Sequence, residues 1–483
     1  MPVHKRKQKN GLSKMGRHNK PVKVTPKYPS LFGTNGIRGV VNDLMNPLFA
    51  AEMGMAIGTY AQQRDIVIGT DGRTSNQMIK NAVVSGLLST GCDVIDIGYA
   101  PTPVVQYAVP HFQCVLGITI TASHNPPKFN GIKTASSDGS EFPRAEEEQI
   151  ERIFYEKSFR RVSWDNIGLY RRADVISDYI EAILSRINLP TVRKRPLKVV
   201  HDAGNGTTGI VTPEILKRMG CSVVTLNANM DGMFPAHPSE PTEQNSEQLK
   251  KAVVSLGADL GIIQDGDGDR TIFIDENGRY LPGEISLAII ARQAVIEAGG
   301  GIVVTPVNAS RCVEDAIREH NGRIIYTRVG SPPVIGKMKE TNAVVGGEEA
   351  GGIVHPKFQY AKDGMMTAAR MIEIMAITGK KMSELADEIP SYCVYKTRVE
   401  CPDERKKDVI TRICDLMSSR KGVSIDRTDG VKISDSKGWI LVRPSGTEPI
   451  FRVFVERKNR KDAERDSTVY VKLLRNLIGS SAE

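Results

Sequence analysis

The sequence lacks the features that would indicate a secreted, disulfide-bonded or membrane-spanning protein. Seven cysteines are scattered over 483 residues without a CxxC pair, and their odd number argues against a disulfide framework. There is no run of 18 apolar residues and no signal peptide. We therefore expect a soluble cytoplasmic protein that has no membrane partner.

Acidic residues are absent from the first 30 positions, which carry nine Lys and Arg. The net charge of +9 resides entirely there, because the other 56 Lys and Arg equal the 56 Asp and Glu. Since this segment also lacks apolar periodicity, we predict a disordered basic extension. Two roles stay open for it: contact with nucleic acid or another anionic surface, or an arm that aids solubility.

The length of the chain predicts several domains. Strand-like runs alternate with helical ones, as in 65–71 followed by 76–90, which favours parallel sheets with crossover helices. The charged stretch 144–161 is predicted to be a solvated helix, and a hairpin over 438–456 indicates an α+β unit at the end. The predicted units are a basic extension (1–30), three α/β units (31–172, 173–279 and 280–388) and an α+β unit (389–483).

The strongest candidate site is the stretch QDGDGDR, 264–270, in which Asp265, Asp267 and Asp269 alternate with glycines. The glycines let three carboxylates converge, and such a cluster repels itself unless a cation sits among them. Hard oxygen ligands favour Mg²⁺ or Ca²⁺. An EF-hand is excluded, because Arg270 occupies the position that requires glycine and strands flank the loop. A plain acidic surface turn is the remaining alternative.

A second candidate is Ser123, which follows an apolar strand in TITASHNPPKFNGIK, 119–133. In an extended segment, His124 would point away from Ser123, so this pair is not expected to form a Ser–His dyad. There is no GxSxG elbow either. A phosphorylated serine fits better, since it needs no base at rest and would supply oxygens to a three-Asp metal site. The alternative is a serine that caps a turn.

Two further loops have the composition of ligand sites. In RPSGTEP, 443–449, Arg443 offers a planar fork for phosphate, and the residues after it offer hydroxyls and approachable N–H groups. It is not a P-loop, and a common hairpin turn is the alternative. GGEEAGG, 346–352, could accept hydrogen bonds from sugar hydroxyls, or be an exposed acidic turn.

The stretch FGTNGIRG, 32–39, carries GxxGxxG instead of the dinucleotide fingerprint and follows no strand, so dinucleotide binding is not expected. Arg38 in this stretch and Lys133 are candidate cations near the serine. For each of them, a surface salt bridge is the alternative.

Taken together, these loops resemble those of the α-D-phosphohexomutase family, which comprises phosphoglucomutases, phosphomannomutases and phosphoglucosamine mutases. The matching motifs follow the family's order from residue 31 to about 455: FGTNGIRG, GTDGR, TASHNP, VVHDAGNGT, DGDGDR, GGEEAGG and RPSGTEP. The TASHNPPxxNGIK and GGEExGG forms are similar to those of archaeal members. The resemblance implies an α/β architecture of four domains, three similar α/β domains and a smaller α+β C-terminal domain around a central cleft.

The resemblance also assigns roles to individual residues. Ser123 would be the phosphoserine, and one Mg²⁺ per active site would bind to it together with Asp265, Asp267 and Asp269. His124 and Arg270 would contact the phosphoryl group, Arg38 would be a further catalytic cation, and Lys133 would be a general acid or base. Glu348 would bind sugar hydroxyls. The non-reacting phosphate would be held by Arg443, Ser445, Gly446, Thr447 and Arg452.

The implied reaction interconverts a hexose 6-phosphate and its 1-phosphate through a hexose 1,6-bisphosphate, which also acts as an activator. The chain departs from the resemblance at Ala350, where many relatives have Ser or Asn, and at Gly352, where some have His; His355 follows three residues on. Two alternatives stay open: a Mg²⁺-dependent sugar phosphatase and a non-catalytic sugar-phosphate sensor. The sequence locates no subunit interface, so no oligomeric state is predicted.

Overall fold

The computed structural model describes residues 28–33, 35–62, 64–446 and 448–479. The predicted basic extension lies outside this part of the chain except for its last three residues, so its contact with nucleic acid stays a prediction. Among the helices described, none combines the length and the apolar character needed to cross a bilayer.

The first unit is a six-stranded sheet in the order β1-β5-β4-β2-β3-β6, with helices packed against it. Its strands are β1 (Ile37–Val40), β2 (Ile66–Thr70), β3 (Val94–Tyr99), β4 (Leu116–Ile120), β5 (Phe129–Ser136) and β6 (Tyr170–Arg172). Its helices are α1 (Pro47–Ala61), α2 (Asn76–Ser89), α3 (Thr102–His111) and α4 (Arg144–Glu156). The helix predicted over 144–161 thus ends early, because Lys157 adopts a left-handed conformation with φ of 50°.

The second unit is a five-stranded sheet in the order β11-β10-β9-β7-β8. Its strands are β7 (Lys198–Asp202), β8 (Ser222–Leu226), β9 (Leu260–Gln264), β10 (Thr271–Asp275) and β11 (Tyr280–Leu281). Its helices are α5 (Ile176–Leu184), α6 (Leu189–Lys194), α7 (Thr212–Met219) and α8 (Glu247–Leu256).

The third unit is a four-stranded sheet in the order β13-β12-β14-β15. It contains α9 (Gly283–Ala298), β12 (Gly301–Pro306), α10 (Arg311–Arg318), β13 (Gly322–Thr327), α11 (Ser331–Thr341), β14 (Val345–Gly347), β15 (Ile353–Val354), α12 (Gly364–Thr378) and α13 (Met382–Asp387). The fourth unit is an antiparallel sheet in the order β16-β20-β19-β18-β17. It contains β16 (Cys393–Glu400), α14 (Asp403–Ser418), β17 (Ser424–Asp426), β18 (Val431–Asp435), β19 (Gly438–Pro444), β20 (Ile450–Arg457) and α15 (Arg460–Gly479).

Parallel strand pairs are present in each α/β unit, as predicted, but each sheet also contains antiparallel strands. In each α/β unit, one parallel strand is followed by a strand that returns antiparallel to it: β4 by β5, β9 by β10, and β14 by β15. The connecting loops are too short for a crossover helix, which needs a dozen residues or more. The serine loop, the metal loop and the GGEEAGG loop follow the parallel strands β4, β9 and β14 and lie at their carboxyl ends, where such sheets bind ligands. The FGTNGIRG stretch is different, because it runs into β1, which is antiparallel to β5.

One apolar core extends through the first three units, each of which also has a cluster of its own, whereas the fourth unit has a separate core. The shared core includes Val105 of α3, Tyr179 of α5, Leu216 of α7, Ile290 of α9 and Met371 of α12, all nearly inaccessible to solvent. Burial of this kind contributes roughly 1.5–3 kcal/mol for each large apolar side chain. The core therefore holds the loops that follow β4, β9 and β14 in a fixed relation.

Candidate active site

The loop that carries Ser123 is strained at the serine itself. Ser123 is buried and has a φ of +51°, a left-handed conformation that costs a non-glycine residue roughly 1–2 kcal/mol. Its N–H donates to Thr121 Oγ1 at 2.8 Å, and its Oγ lies 3.3 Å from His124 Nδ1. The expectation that the Ser123 and His124 side chains point apart in an extended segment is therefore wrong, because the chain turns at residue 123.

One buried guanidinium, that of Arg73, holds this loop. Its Nη2 donates to the carbonyl oxygens of Ser123 (2.7 Å) and Asn125 (2.6 Å), and its Nη1 to those of Pro126 (2.8 Å) and Phe129 (3.0 Å). Charge-assisted bonds of this kind are stronger than neutral ones, and the planar fork fixes their directions. Arg73 therefore maintains the strained conformation of the serine loop without touching the hydroxyl of Ser123.

We expect Arg73→Lys to lower the free energy of unfolding by about 2–4 kcal/mol, because an ammonium cannot satisfy four carbonyls and pair with Asp71 as well. Asp71 Oδ2 lies 3.1 Å from Arg73 Nε in the wild type. Urea denaturation measures the change. Arg171→Lys, on an exposed strand of the same unit, is the matched control and should stay within about 0.5 kcal/mol. Equal effects of the two substitutions would refute the role given to Arg73.

The three aspartates of the metal loop converge next to the serine. All three are buried, and one carboxylate oxygen from each lies within 4.8 Å of the others. Ser123 Oγ donates to Asp265 Oδ2 at 2.9 Å. The left-handed φ of Gly268, +74°, permits the tight turn, and a side chain there would meet Thr208.

The hydrogen bonding of this triad fits a cation. Asp267 Oδ1 and Asp269 Oδ1 are buried and accept no hydrogen bond from the described residues. Buried carboxylate oxygens without a partner are rare and costly, and hard divalent cations prefer such ligands. The residues present could therefore hold a metal ion at this position.

Two lysines balance part of the negative charge. Lys133 Nζ donates to Asp267 Oδ2 at 2.6 Å and to Asp269 Oδ2 at 3.2 Å. Burial alone lowers the pKa of Lys133, but Asp267 and Asp269 outweigh it and raise that pKa. Lys362 Nζ lies 3.3 Å from Asp269 Oδ2. Lys362 is not among the predicted site residues, and the packing of the third unit on the second brings it to the site.

The titration of the site reflects an excess of negative charge. Burial, together with the charges of Asp269 and Asp267, raises the pKa of Asp265 well above its usual range. Burial also raises the pKa of Asp269, but Lys133 and Lys362 outweigh it and hold that pKa well below its usual range. Without a cation, protonation of Asp265 reduces the repulsion among the three carboxylates. A bound divalent cation would reduce this repulsion instead.

Arg38, His124 and Arg270 surround the serine and metal loops. Arg38 Nη1 donates to Asn125 Oδ1 at 2.7 Å, and the N–H of Arg270 donates to Asp265 Oδ1 at 3.1 Å. Burial and the charges of Arg270 and Arg38 lower the pKa of His124 to about 3, so its imidazole is neutral at pH 7. The predicted catalytic residues are thus gathered in one place.

The GGEEAGG loop lies against the metal loop. Gly351 O accepts from Thr271 N at 3.1 Å, and Glu348 Oε2 lies 3.4 Å from Lys362 Nζ. A side chain at Gly352 would come within 2.6 Å of Lys362 Cδ. Gly352 therefore leaves room for Lys362, which explains why no histidine stands there.

His355 does not replace that histidine. It hydrogen-bonds through Nε2 to Thr367 Oγ1 at 3.0 Å and lines a separate cavity of about 330 Å³ with Glu297 and Arg370. Burial and the charge of Arg370 lower the pKa of His355 to about 3. His355 is a core histidine of the third unit.

The phosphate-loop candidates form a second group on the fourth unit. Arg443 Nε pairs with Asp429 Oδ2 at 2.6 Å, and Arg452 Nη2 with Glu448 Oε2 at 2.9 Å. Lys406 Nζ donates to Ser445 O at 2.6 Å and fixes the start of the loop. No hydrogen bond or ion pair within the described part of the chain joins this loop to the serine or metal loops. Gly446 is exposed, and Thr447 lies outside the described residues.

Comparison with known proteins agrees with this arrangement. Four profiles of phosphoglucomutase/phosphomannomutase match in chain order: alpha/beta/alpha domain I (29–161), domain II (177–278), domain III (282–392) and the C-terminal domain (397–466). The fold is that of a phosphohexomutase, an isomerase that transfers phosphate within sugar phosphates. The chain belongs to the phosphoglucomutase/phosphomannomutase family.

Individual relatives extend over nearly the whole chain. This chain is 43% identical over 453 residues to a phosphoglucomutase/phosphomannomutase of Thermococcus kodakarensis, and the match covers 93% of this chain and 99% of the relative. It is 41% identical over 450 residues to a probable phosphoglucosamine mutase of Pyrococcus horikoshii, covering 93% and 98%. A crystal structure of a family protein from Burkholderia thailandensis, 26% identical, matches with a TM-score of 0.83 over 94% of this chain and 98% of that one.

Proposed function

We propose that this phosphohexomutase works through a phosphoryl group carried on Ser123. The observation that carries the proposal is the contact of Ser123 Oγ with Asp265, 2.9 Å away, at the edge of a triad with orphaned carboxylate oxygens. A nucleophilic oxygen beside a cation site and several positive side chains is what phosphoryl transfer requires.

One Mg²⁺ per active site is the metal we propose for the triad. Asp265, Asp267 and Asp269 would hold it together with an oxygen of the phosphoserine, since a short loop of three carboxylates leaves coordination positions open. When bound, such an ion neutralises negative charge that develops on the transferring phosphoryl group.

The proposed step exchanges one P–O bond for another. A hydroxyl of the hexose monophosphate attacks the phosphorus, the bond to Ser123 Oγ breaks, and a hexose 1,6-bisphosphate forms. The sugar hydroxyl loses one proton and Ser123 Oγ gains one, which leaves a serine hydroxyl that can donate a hydrogen bond to Asp265 Oδ2, 2.9 Å away. Lys133 is kept protonated by Asp267 and Asp269, and we propose that its ammonium gives a proton to Ser123 Oγ as the P–O bond breaks and that the resulting amine takes the proton of the sugar hydroxyl.

The positive side chains have distinct parts in this proposal. His124, Arg38 and Arg270 line the serine loop and would contact the phosphoryl oxygens, where fixed charges stabilise the transition state. Lys362 lies between the metal and sugar loops, 3.3 Å from Asp269 and 3.4 Å from Glu348. We propose that its ammonium binds the sugar phosphate as it enters the cleft.

The non-reacting phosphate would bind to the fourth unit. Arg443, Arg452 and the residues 445–447 offer a guanidinium fork, hydroxyls and N–H groups, which can accept a phosphate attached to either end of a sugar. After the first transfer the bisphosphate must turn around, so that its other phosphate returns to Ser123. One site that binds both orientations makes this possible.

Glu348→Gln is expected to lower kcat/KM for the hexose phosphate by about 10- to 100-fold, as loss of a hydrogen bond to a charged acceptor costs roughly 1.5–3 kcal/mol. Glu349→Gln is the control, because Asn308 Nδ2 already donates to Glu349 Oε1 at 2.7 Å. Steady-state kinetics on both variants measure the difference. If Glu349→Gln lowers kcat/KM more than Glu348→Gln does, the residue that contacts the sugar is Glu349 and not Glu348.

The reaction is tested by supplying glucosamine 6-phosphate, mannose 1-phosphate and glucose 1-phosphate with Mg²⁺ and a trace of the matching 1,6-bisphosphate. Relatives named for glucosamine and for glucose or mannose motivate this panel. We expect conversion between 1- and 6-phosphates, and the relative rates identify the preferred sugar. Release of inorganic phosphate alone would favour the phosphatase, and binding without turnover would favour the sensor.

A further inference from the structure

Arg443 is already paired on one edge of its guanidinium. Its Nε donates to Asp429 Oδ2 at 2.6 Å, and both side chains are mostly shielded from solvent. Among the residues that the structure describes, no acceptor engages Nη1 or Nη2 of Arg443. The pair thus directs the outer edge of the guanidinium, the one suited to a phosphate, away from Asp429.

The position of Asp429 is fixed by the hairpin that joins β17 to β18. Gly430 follows it with a φ of +81°, and a side chain at this glycine would come within 2.3 Å of Val442 O and 2.9 Å of Arg443 Cα. Val431 pairs with Val442 in the register of β18 and β19. The turn therefore packs directly on the strand that carries Arg443.

The same carboxylate oxygen also reaches the third unit. Asp429 Oδ2 accepts the N–H of Val329 at 3.0 Å, in the connection between β13 and α11. The Val329 side chain packs on a small apolar cluster that includes Val307 of the third unit and Trp439 and Leu441 of the fourth. One oxygen atom thus joins the Arg443 guanidinium to the backbone of another unit.

We propose that Asp429 is a positioning residue that orients Arg443 for the non-reacting phosphate and sets the fourth unit against the third. This rests on the proposed function, in which Arg443 binds that phosphate. Without the carboxylate, the guanidinium can rotate among several rotamers, and binding the phosphate must then order it again. The expected result is weaker substrate binding, while the phosphoryl transfer at Ser123 is little changed.

The test compares Asp429→Asn with Asp466→Asn. Asp466 is a matched control in the same unit, since its Oδ2 accepts from Arg457 Nε at 2.7 Å but lies outside the phosphate loop. We expect Asp429→Asn to raise KM for the hexose phosphate about tenfold, with kcat within about threefold of the wild type. Asp466→Asn should leave both constants unchanged. Asp429→Ser has a side chain too short to reach Arg443, and we expect it to raise KM at least as much as Asp429→Asn. It replaces Asp429→Asn in the test if the asparagine variant does not fold.

A double-substitution cycle separates positioning from a merely structural effect. In an Arg443→Ala background, Asp429→Asn should change kcat/KM by less than twofold, because its partner is gone. Hydrogen exchange at the Val329 amide should be faster in Asp429→Asn than in Asp466→Asn. An unchanged KM in Asp429→Asn, or the same tenfold effect in the Arg443→Ala background, would overturn the proposal. Absence of turnover in the wild type would instead count against the proposed function.

Discussion

Replacing Ser123 with Ala is expected to stop turnover, with kcat lowered by at least about 10⁴-fold. The hydroxyl is the atom to which the phosphoryl group attaches in the proposed cycle, and neither His124 nor Asp265 can take its place. Binding of the hexose phosphate should persist, because Arg443, Ser445 and Gly446 of the proposed phosphate site lie on the fourth unit, apart from Ser123. Turnover assays and calorimetric titration with the sugar phosphate measure the two effects separately.

Ser123→Gly distinguishes loss of chemistry from loss of structure. Glycine adopts the φ of +51° without strain, so this variant should be as inactive as Ser123→Ala but roughly 1 kcal/mol more stable. Ser239→Ala is the hydroxyl control, since Ser239 Oγ donates to Ser123 O at 3.1 Å and reaches no reacting atom. Its activity should fall by less than about tenfold. Turnover of Ser123→Ala within tenfold of the wild type would rule out a phosphoserine at this position.

Asp267→Asn is expected to abolish Mg²⁺ binding and to slow phosphoryl transfer by at least about 100-fold. Asp267 Oδ1 is one of the orphaned oxygens, and in the variant an NH₂ group that cannot bind a cation can occupy its place. Lys133 would keep its contact with Asp269, 3.2 Å away, so the fold should tolerate the change.

Thermal unfolding with and without Mg²⁺ measures the same prediction without an activity assay. A ligand at 100 times its Kd stabilises the folded state by about 2.7 kcal/mol, and the wild type should gain stability accordingly. In EDTA, Asp267→Asn should be somewhat less stable than the wild type, because burial raises the pKa of Asp267 but Lys133 outweighs it and lowers that pKa, and the variant loses this ion pair. The quantity compared is therefore the gain in stability on adding Mg²⁺, which Asp267→Asn should lack. Glu243→Gln removes an exposed carboxylate of the same unit and should respond to Mg²⁺ like the wild type. An Mg²⁺ response that survives in Asp267→Asn would contradict the metal assignment.

A residue of the candidate site can be predicted from the sequence where it lies in a short loop directly after a buried strand. Ser123 and the three aspartates are such residues, and their chemistry can be judged from the loop alone. Lys362 escapes this reasoning, because it precedes α12 in an unremarkable stretch and reaches Asp269 only through the packing of the third unit on the second. The one sequence signal near Lys362 is the helix cap that follows it. Asp363 precedes an apolar helix and accepts a hydrogen bond from Met366 N, as an N-cap residue does.

Arg73 and the antiparallel return strands are further features that were not predicted from the sequence. Arg73 belongs to a recognised motif, but its four carbonyl contacts depend on a turn at Ser123 that propensity does not predict. The return of β5 beside β4 could have been predicted, since residues 121–128 are too few for a crossover helix. Conversely, the bridge from Asp429 to Val329 spans 100 positions and follows only from the way the units dock.

Peptide mapping by mass spectrometry, after incubation with a hexose 1,6-bisphosphate and Mg²⁺ and then after addition of the hexose monophosphate, detects the phosphoryl group itself. We predict one phosphoryl group on the peptide that contains Ser123, lost on addition of the monophosphate as an equal amount of bisphosphate forms. A phosphoryl group on another residue, or its loss to water as inorganic phosphate, would show that Ser123 does not carry phosphate between the two ends of a hexose.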